Sequence, residues 1–514
     1  MIKPFSALKN FTGRLAIGVG TFGVKMLASD FQNTAAGRHM RSMLTTGKGP
    51  LSLLKSNLSK LIRQSRSVLR TNIHAVTTKE AVVANTIGTG IQPQSEHPDE
   101  EVREKLDDLF EDFCVEADPE GMQSYFGLQT LACHEFVEAG GCLARWRPRR
   151  LSDNLRVPLQ LQLLQIEHLD REKIFTKNKN RIVNGIEYNP RGQRVAYHVY
   201  QNHPGDPNFQ APMNQSVRVK AENMLHVFRP VWAGQNQGLP LLSQALFTLD
   251  QLEKYGTNVM LKQSLSNLFM AFIKQDPESK KKNPIIPNAT NNQDGTADAS
   301  MEPAITQYLE HGEEVTFSNP PGVGVDHDPY VRSQLAAVSS SAMMLYYQIS
   351  GDLRNINFSS VRAGIIEMKR KIEAVQHHVF IFQFCRPVWE RVIKTAVISG
   401  AIDLPGYIEN PRPFHQVAWV PQGREWVDPL KDAQANALAV ANRFTSVTRV
   451  VRGQGINPRK LFAEIAREQK KFKELDITPG EVIGKLEEIA SQRENEETGQ
   501  DIEEEKEEKI SNVA

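Results

Sequence analysis

The chain has 514 residues, 24% of them charged and 40% hydrophobic, and its 61 Lys and Arg against 60 Asp and Glu leave a formal net charge of +1. These values exclude a wholly disordered chain and a polycation that coats nucleic acid indiscriminately, and they leave room for several domains with buried cores. The charge is unevenly spread: residues 1–80 hold 13 Lys and Arg with only Asp30 and Glu80 as acids, whereas 481–514 hold 12 acids and four bases, the pattern of solvated arms.

In chain order, residues 1–50 carry Gly, Ser, Thr and basic side chains without a sustained period and read as a flexible basic arm. The uncharged run 15–24 inside it is bounded by Arg14 and Lys25 and is short of the ~20 residues a membrane helix needs. No small-residue cleavage pattern follows it. Leu54, Leu58, Leu61 and Ile62 recur at helical spacing within 51–83, and Val102, Leu106, Leu109 and Phe113 do so within 99–113; both stretches predict amphipathic helices. The period then changes. Leu159, Leu161 and Leu163 alternate with Gln, and Val195, Tyr197 and Val199 alternate beyond an Asn189-Pro190-Arg191-Gly192 turn, which predicts strands and a hairpin near 182–200. Residues 224–228 read as one more strand before Gly234, Gly238 and Pro240 end the pattern.

A long helical stretch follows over 241–273, its seam formed by Leu242, Leu246, Leu249, Leu252, Val259, Leu265, Leu268 and Phe272, with Gly256 as a point of bending. Residues 276–325, with Pro, Asn, Gly and Lys280-Lys281-Lys282, are too polar for a core and too long for an ordinary loop. A second helix spans 329–349, where Val331, Leu335, Val338, Ala342, Leu345 and Ile349 form a strict stripe that packs on a partner helix. The two helices pair antiparallel with one another, or each pairs with its counterpart in a neighbouring copy. After a break at 351–360, Met368, Ile372, Val375, Val379 and Phe382 repeat the helical spacing as far as Pro387. Asn457-Pro458 starts a further helix, and Thr478-Pro479-Gly480-Glu481 is a capping box with Pro at the first helical position. Beyond Arg493 the acidic run is expected to be unstructured. The fold class is α+β, mainly helical.

Reactive constellations are few. Gly18-Val19-Gly20-Thr21-Phe22-Gly23 fits a phosphate-binding glycine pattern, but no convincing strand precedes it and no acid lies about 20 positions on to bind a ribose. The four cysteines, at 114, 133, 142 and 385, make no disulfide framework and point to a reducing, cytosolic compartment. Cys133-His134 with Cys142 lacks the paired knuckles of a structural zinc site and reads as a core element. Asp326-His327-Asp328 brackets an imidazole with carboxylates able to ligate a divalent cation, and His377-His378 sits inside a helical pattern. No nucleophile elbow, zincin helix or P-loop motif occurs. The expectation is therefore no catalytic residue, no metal and no cofactor.

Several segments, taken together, resemble the portal proteins of tailed bacteriophages, in their lambda-like branch. Ser65-Arg66-Ser67-Val68-Leu69-Arg70-Thr71-Asn72 followed by Ile87-Gly88-Thr89-Gly90-Ile91-Gln92-Pro93 looks like that family's first helix and Gly-rich turn. Asn184-Gly185-Ile186-Glu187 with Gly192-Gln193-Arg194-Val195-Ala196-Tyr197-His198-Val199 resembles its hairpin, and Leu225-His226-Val227-Phe228 with Gln235-Asn236-Gln237-Gly238-Leu239-Pro240 the segment after it. Most specific is Gly351-Asp352-Leu353-Arg354-Asn355-Ile356-Asn357-Phe358-Ser359-Ser360-Val361-Arg362, close to G-D-x4-N-[YF]-S-S-x-R. Phe384-Cys385-Arg386-Pro387-Val388-Trp389 and Trp426-Val427-Asp428-Pro429-Leu430-Lys431 follow in order, so the similarity covers about residues 37–445. Gln237 and Thr71 depart from the pattern, which tends to Arg and Asn there.

The resemblance implies a multi-domain fold of wing, stem, clip and crown that assembles into a ring, usually a dodecamer, around a central channel at one capsid vertex. It implies passage of double-stranded DNA through the channel, docking of the terminase large subunit and a head-tail adaptor, and contact with major capsid or scaffold protein. It places the molecule in the virion, with assembly in the host cytoplasm, no membrane and no enzymatic activity of its own. Its parts would be a basic arm at 1–50, wing at 51–240, first stem helix at 241–275, clip at 276–327, second stem helix at 328–349, channel loop at 350–362, wing helices at 363–454, crown helices at 455–492 and an acidic tail at 493–514. Channel-loop residues would be Arg354, Asn355, Asn357, Ser359, Ser360 and Arg362, and partner-docking clip residues Lys280, Lys281 and Lys282. A channel must not grip, because each phosphate neutralised by a fixed cation strengthens binding through counterion release; a single cation among amides in 354–357 fits. The plainer reading of that stretch is a helix-start turn capped by Asn357, Ser359 or Ser360. The basic arm reads equally as an inter-subunit or scaffold-binding arm or as solvated chain, ahead of a DNA-touching segment. A reading from a different class is a metal-dependent nuclease or phosphohydrolase using Asp326, His327 and Asp328.

Overall fold

The computed structural model describes residues 49–174, 176–177, 180–206, 215–266, 271–275, 290–291, 297–298, 313–317, 327–354, 357–423 and 429–474. They fall into two compact units: the described residues of Met1–Thr86, Leu131–Trp146 and Leu161–Phe384 form the first, and those of Ile87–Thr130, Arg147–Gln160 and Cys385–Ala514 the second. Residues 51–240, expected as one wing, contribute to both.

The first unit opens with helix Pro50–Thr71, started by Gly49 in an extended conformation and Pro50 in the first turn, where a missing N–H costs nothing. The helix expected over 51–83 is divided at Asn72, whose backbone turns extended. Its Oδ1 accepts from Ala75 N at 3.1 Å, capping the next helix, Ile73–Thr86, while its Nδ2 donates to Leu249 O and Glu253 Oε2, each at 3.1 Å. Leu54, Leu58 and Ile62 pack into a core with Leu143, Ile166, Leu169, Ile186, Tyr197, Val199, Val219 and Met224. Each such side chain withdrawn from water contributes roughly 1.5–3 kcal/mol before chain entropy is counted.

That core is floored by two sheets. One is three-stranded, in the order Leu159–Gln165, Gly141–Pro148, Met224–Phe228. The other is an antiparallel five-stranded sheet in chain order from Thr176–Lys177 to Val217–Lys220. The expected hairpin near 182–200 is present as part of a longer meander of Asn180–Val183, Ile186–Tyr188 and Arg194–Val199. Asn184 and Gly185, with φ of 51° and 78°, make the first turn, the two-residue Asn-Gly geometry whose twist matches paired strands. At the second turn Asn189 Oδ1 accepts from Arg191 N and Gln193 N at 3.0 and 2.9 Å.

The expected long helix over 241–275 is shorter, Leu246–Ser266, and residues 271–275 are instead a strand, Ala271–Gln275, antiparallel to Glu313–Phe317. Phe272 and Ile273 are residue types of high strand propensity. Leu242, Leu246, Leu249 and Leu252 are buried, but Met260 and Leu261 further along are exposed. The second helix, expected at 328–349, breaks into His327–Ser341 and Tyr346–Ser350 around Met343, whose φ is 62°. Ser339 and Ser341 hydroxyls donate to Ala336 O and Val338 O at 2.8 and 2.7 Å, and such local competition weakens a helix end. The stripe survives the break, with Leu335, Val338, Ala342 and Ile349 buried. The two helices pack on each other: Tyr255 stacks on His327 at 5.4 Å and meets Tyr330 at 4.9 Å. Helix Phe358–Val375 then widens into π turns over Gln376–Cys385. The helical run does not stop at Pro387, because that residue occupies the first turn of helix Arg386–Ser399.

The second unit is built on helix Glu100–Glu116, capped by Asp99, whose Oδ1 accepts from Glu101 N at 3.0 Å. Its Phe110 meets Trp389 at 5.0 Å and Tyr125 edge-on at 5.3 Å, and Trp389 Nε1 donates to Phe414 O at 3.1 Å. Strand Gln92–Ser95 pairs antiparallel with Val417–Val420. Helix Pro458–Glu474 starts where Asn457-Pro458 predicts, with Asn457 Oδ1 accepting from Arg459 N at 3.0 Å. The capping box at 478–481 and the acidic tail lie outside the described residues, as do the arm at 1–48 and residues 424–428. Among the described residues no helix is long and apolar enough to cross a membrane.

Candidate functional site

Helix Tyr346–Ser350 ends at Gly351, whose φ of 67° caps it in the left-handed region. Asp352 follows, its N–H donating to Ser350 Oγ at 3.1 Å. Its carboxylate is a hub. Arg354 reaches it through Nε at 2.9 Å, Nη2 at 3.2 Å and backbone N–H at 3.0 Å, Tyr346 donates its hydroxyl at 3.3 Å, and Arg332 pairs with it from helix His327–Ser341. Asp328, one turn before Arg332, accepts from Arg354 Nη2 at 3.2 Å and pairs with Arg332 Nε at 3.5 Å. Two aspartates and two arginines thus neutralise each other across a separation of 26 residues, from the first turn of helix His327–Ser341 to the segment after helix Tyr346–Ser350. The hydrogen bonds from Arg354, joined by that of Arg332, hold the Asp352 carboxyl well below the usual carboxylate range; the same bonds to Asp352 and Asp328 raise Arg354.

The expected loop residues divide accordingly. Arg354 is exposed but already paired, which corrects the picture of a lone cation among amides. Asn357 caps helix Phe358–Val375, its Oδ1 accepting from Ser360 N at 2.8 Å while Ser360 Oγ donates to Asn357 O at 3.0 Å. Ser359 and Ser360 are exposed on the first turn and Arg362 is half-buried two residues further. Asn355 lies outside the described residues, and so do Lys280, Lys281 and Lys282.

The other candidates are placed as follows. Asp328 is engaged by the two arginines, and His327 Nδ1 lies 3.2 Å from the Tyr255 hydroxyl, so neither is presented as a free ligand; Asp326 lies outside the described residues. Cys133 and Cys142 are buried, which pushes both thiols up. His377 and His378 are exposed on the π segment, not tucked into the core. Among the described residues no group of three or more His, Cys, Asp and Glu is placed to hold a metal ion.

The sequence reading missed a second charge network. Arg66 is buried against three carboxylates: Nη2 to Glu135 at 2.6 Å, Nη1 to Glu138 at 2.8 Å and Nε to Glu167 at 2.6 Å. Lys79 Nζ adds a bond to Glu138 at 3.2 Å. Burial pushes Glu135 up even with Arg66 beside it; it is also the largest single influence on Glu167, but the hydrogen bond and charge of Arg66, with lesser help from the backbone and Arg171, together outweigh it and leave Glu167 low. The available signal was Arg66 inside the Ser65–Asn72 motif, with Glu135 and Glu138 three apart on one helix. The segment around Gly238 is likewise structural. Gln235 Oε1 accepts from Val231 N and Trp232 N at 2.8 and 3.1 Å, and Gln237 Nε2 donates to Asn184 O at 3.3 Å. A Cβ on Gly238 would fall 1.8 Å from Gly140 O, so only glycine fits.

The family described as phage portal protein, lambda family, matches residues 36–376. A probable portal protein of Halomonas phage phiHAP-1 is 24% identical over 326 residues, a match that covers 62% of this chain and 61% of the phage protein's length. Among solved structures, a chain of the virion of the native gene transfer agent particle superposes with a TM-score of 0.40 at 13% identity, over 84% of this chain and 99% of that one. An HK97 family phage portal protein from Corynebacterium diphtheriae gives 0.27 at 13% identity, over 59% and 83%.

Proposed function

The chain belongs to the lambda family of phage portal proteins, and we propose that it forms a closed ring, most naturally a dodecamer, through which double-stranded DNA enters and leaves a capsid. The observation that carries this reading is that the family match runs to residue 376 and so contains the whole network of Asp328, Arg332, Asp352 and Arg354. A conduit needs polar walls that do not hold phosphate. Two arginines cancelled by two aspartates supply such a wall, since a self-neutralised cation releases few counterions on meeting DNA. We place the channel loop at 350–362, the stem in helices Leu246–Ser266 and His327–Ser341, the clip in the insertion between them, wing elements at 51–240 and 363–454, and the crown from about 455.

The partners proposed with it are those of a conduit: the terminase large subunit and a head-tail adaptor at the clip, and capsid or scaffold protein around the ring. The virion is the proposed location, and the motor chemistry is assigned to the terminase, not to this chain. Mass photometry with negative-stain imaging tests the reading. Twelve 57.8 kDa chains make a particle of about 0.7 MDa with a central hole. Rings of that class, with no duplex cleavage in Mg²⁺ or Mn²⁺, support it; a small particle that cuts DNA overturns it.

A further inference from the structure

A guanidinium binds carboxylate and phosphate with the same parallel pair of N–H bonds. Just after Gly351 the fork of Arg354 is closed onto Asp352 through Nε and Nη2, at 2.9 and 3.2 Å, although the side chain is 66% exposed. Asp352 is fixed in place by Arg332, by Tyr346 and by the backbone of Arg354, and is only 11% exposed. Asp328 differs: it is 57% exposed and touches Arg354 through one oxygen at 3.2 Å. A phosphate approaching Arg354 therefore meets two carboxylates that already hold the cation, and one of them is free to face solvent.

We propose that Asp328 and Asp352 mask Arg354, making the loop a latent phosphodiester site that stays closed while the four-charge network is intact. The ligand, the phosphates of double-stranded DNA, rests on the portal reading; the mask rests on the network alone. Asp352 sets the orientation of the fork and Asp328 sets the local charge. Replacing Asp328 by Asn removes one negative charge and weakens one hold on Nη2 while Asp352 keeps the loop in shape. The loop then turns from a surface that DNA slides past into one that holds it.

The test uses the full chain as wild type, Asp328→Asn, Arg354→Gln and the Asp328→Asn/Arg354→Gln double variant, with a short fluorescein-labelled duplex read by anisotropy across a salt series. Asp328→Asn is expected to bind on the order of tenfold tighter than wild type at ~0.1 M salt, with a steeper salt dependence, because each phosphate newly neutralised adds close to one unit of log–log slope. The double variant is expected to return to wild-type binding. Equal binding by wild type and Asp328→Asn, or a double variant as tight as the single one, overturns the mask. Asp328→Ser is carried alongside, so that the comparison does not hang on the folding of one variant. Mass photometry on the same samples separates the two readings. Absence of rings in wild type counts against the portal assembly, whereas the Asp328 comparison, read on whatever particle forms, still decides the mask.

Discussion

Two clusters of arginine and carboxylate in the first unit use the same chemistry to opposite ends. Around Arg66, three carboxylates and the Lys79 ammonium are withdrawn from water, with Arg66 and Glu135 side chains each 9% exposed. Around Asp352, itself largely covered, the outer pair stands at the surface, with Arg354 66% and Asp328 57% exposed. Burial decides what each cluster does. A buried ion that loses its partner has nowhere to place its charge, so the first cluster is bound up with folding; an exposed pair is exchanged for water at little cost, so the second is available for function.

The comparison is broken most severely by Arg66→Ala, which strands Glu135, Glu138 and Glu167. A loss of about 3–5 kcal/mol is expected in urea unfolding, and a loss below ~1 kcal/mol would mean the cluster is wetter than its geometry says. Glu135→Gln is expected to cost less, about 1–2 kcal/mol, since it removes a carboxylate that burial already disfavours, at the expense of turning one NH2 toward the donors of Arg66 or Gln165.

Acid sharpens the contrast. His226 is fully buried against Phe228 and Tyr197, and burial, with Arg194 and Arg171 nearby, holds it well below its ordinary value; burial also lowers His198 and His168. A histidine whose folded value is depressed takes up its proton more readily in the unfolded chain. Stability is therefore expected to fall as pH drops below ~6.5, and His226→Phe to flatten that fall in pH-dependent melts. Over the same range Asp352 stays charged and keeps its hold on Arg354, because its carboxyl is held below the usual carboxylate range. Duplex binding is therefore expected to change little between pH 7 and ~5. The smallest effect on stability is that of Arg354→Ala, expected to leave the thermal midpoint unchanged while altering DNA retention in assembled particles.

What was legible in the sequence followed from local pattern. The hairpin turn at Asn189–Gly192, the cap at Asn457-Pro458 and the stripe of Leu335, Val338, Ala342 and Ile349 all depend on residues a few positions apart, and the structure has them. The breaks at Asn72 and Met343 escaped because an apolar stripe continues through a cap as well as through a helix; only the Asn72 bonds to Leu249 and Glu253 reveal the first. The Arg66 cluster escaped because its partners lie 69, 72 and 101 residues away. At the candidate loop the motif gave the position of Arg354, and Asp328 was in view, but as a metal ligand. Nothing in the spacing says that a helix break brings the two together.

The central claim is that residues 350–362 face a pore formed by many copies, and a cryo-EM map of the purified oligomer tests it most directly. The account requires a closed ring with Arg354 and Asp352 of every subunit on the inner wall at a width that passes a DNA duplex. An assembly without a central opening, or one with this stretch on its outer surface, would contradict it.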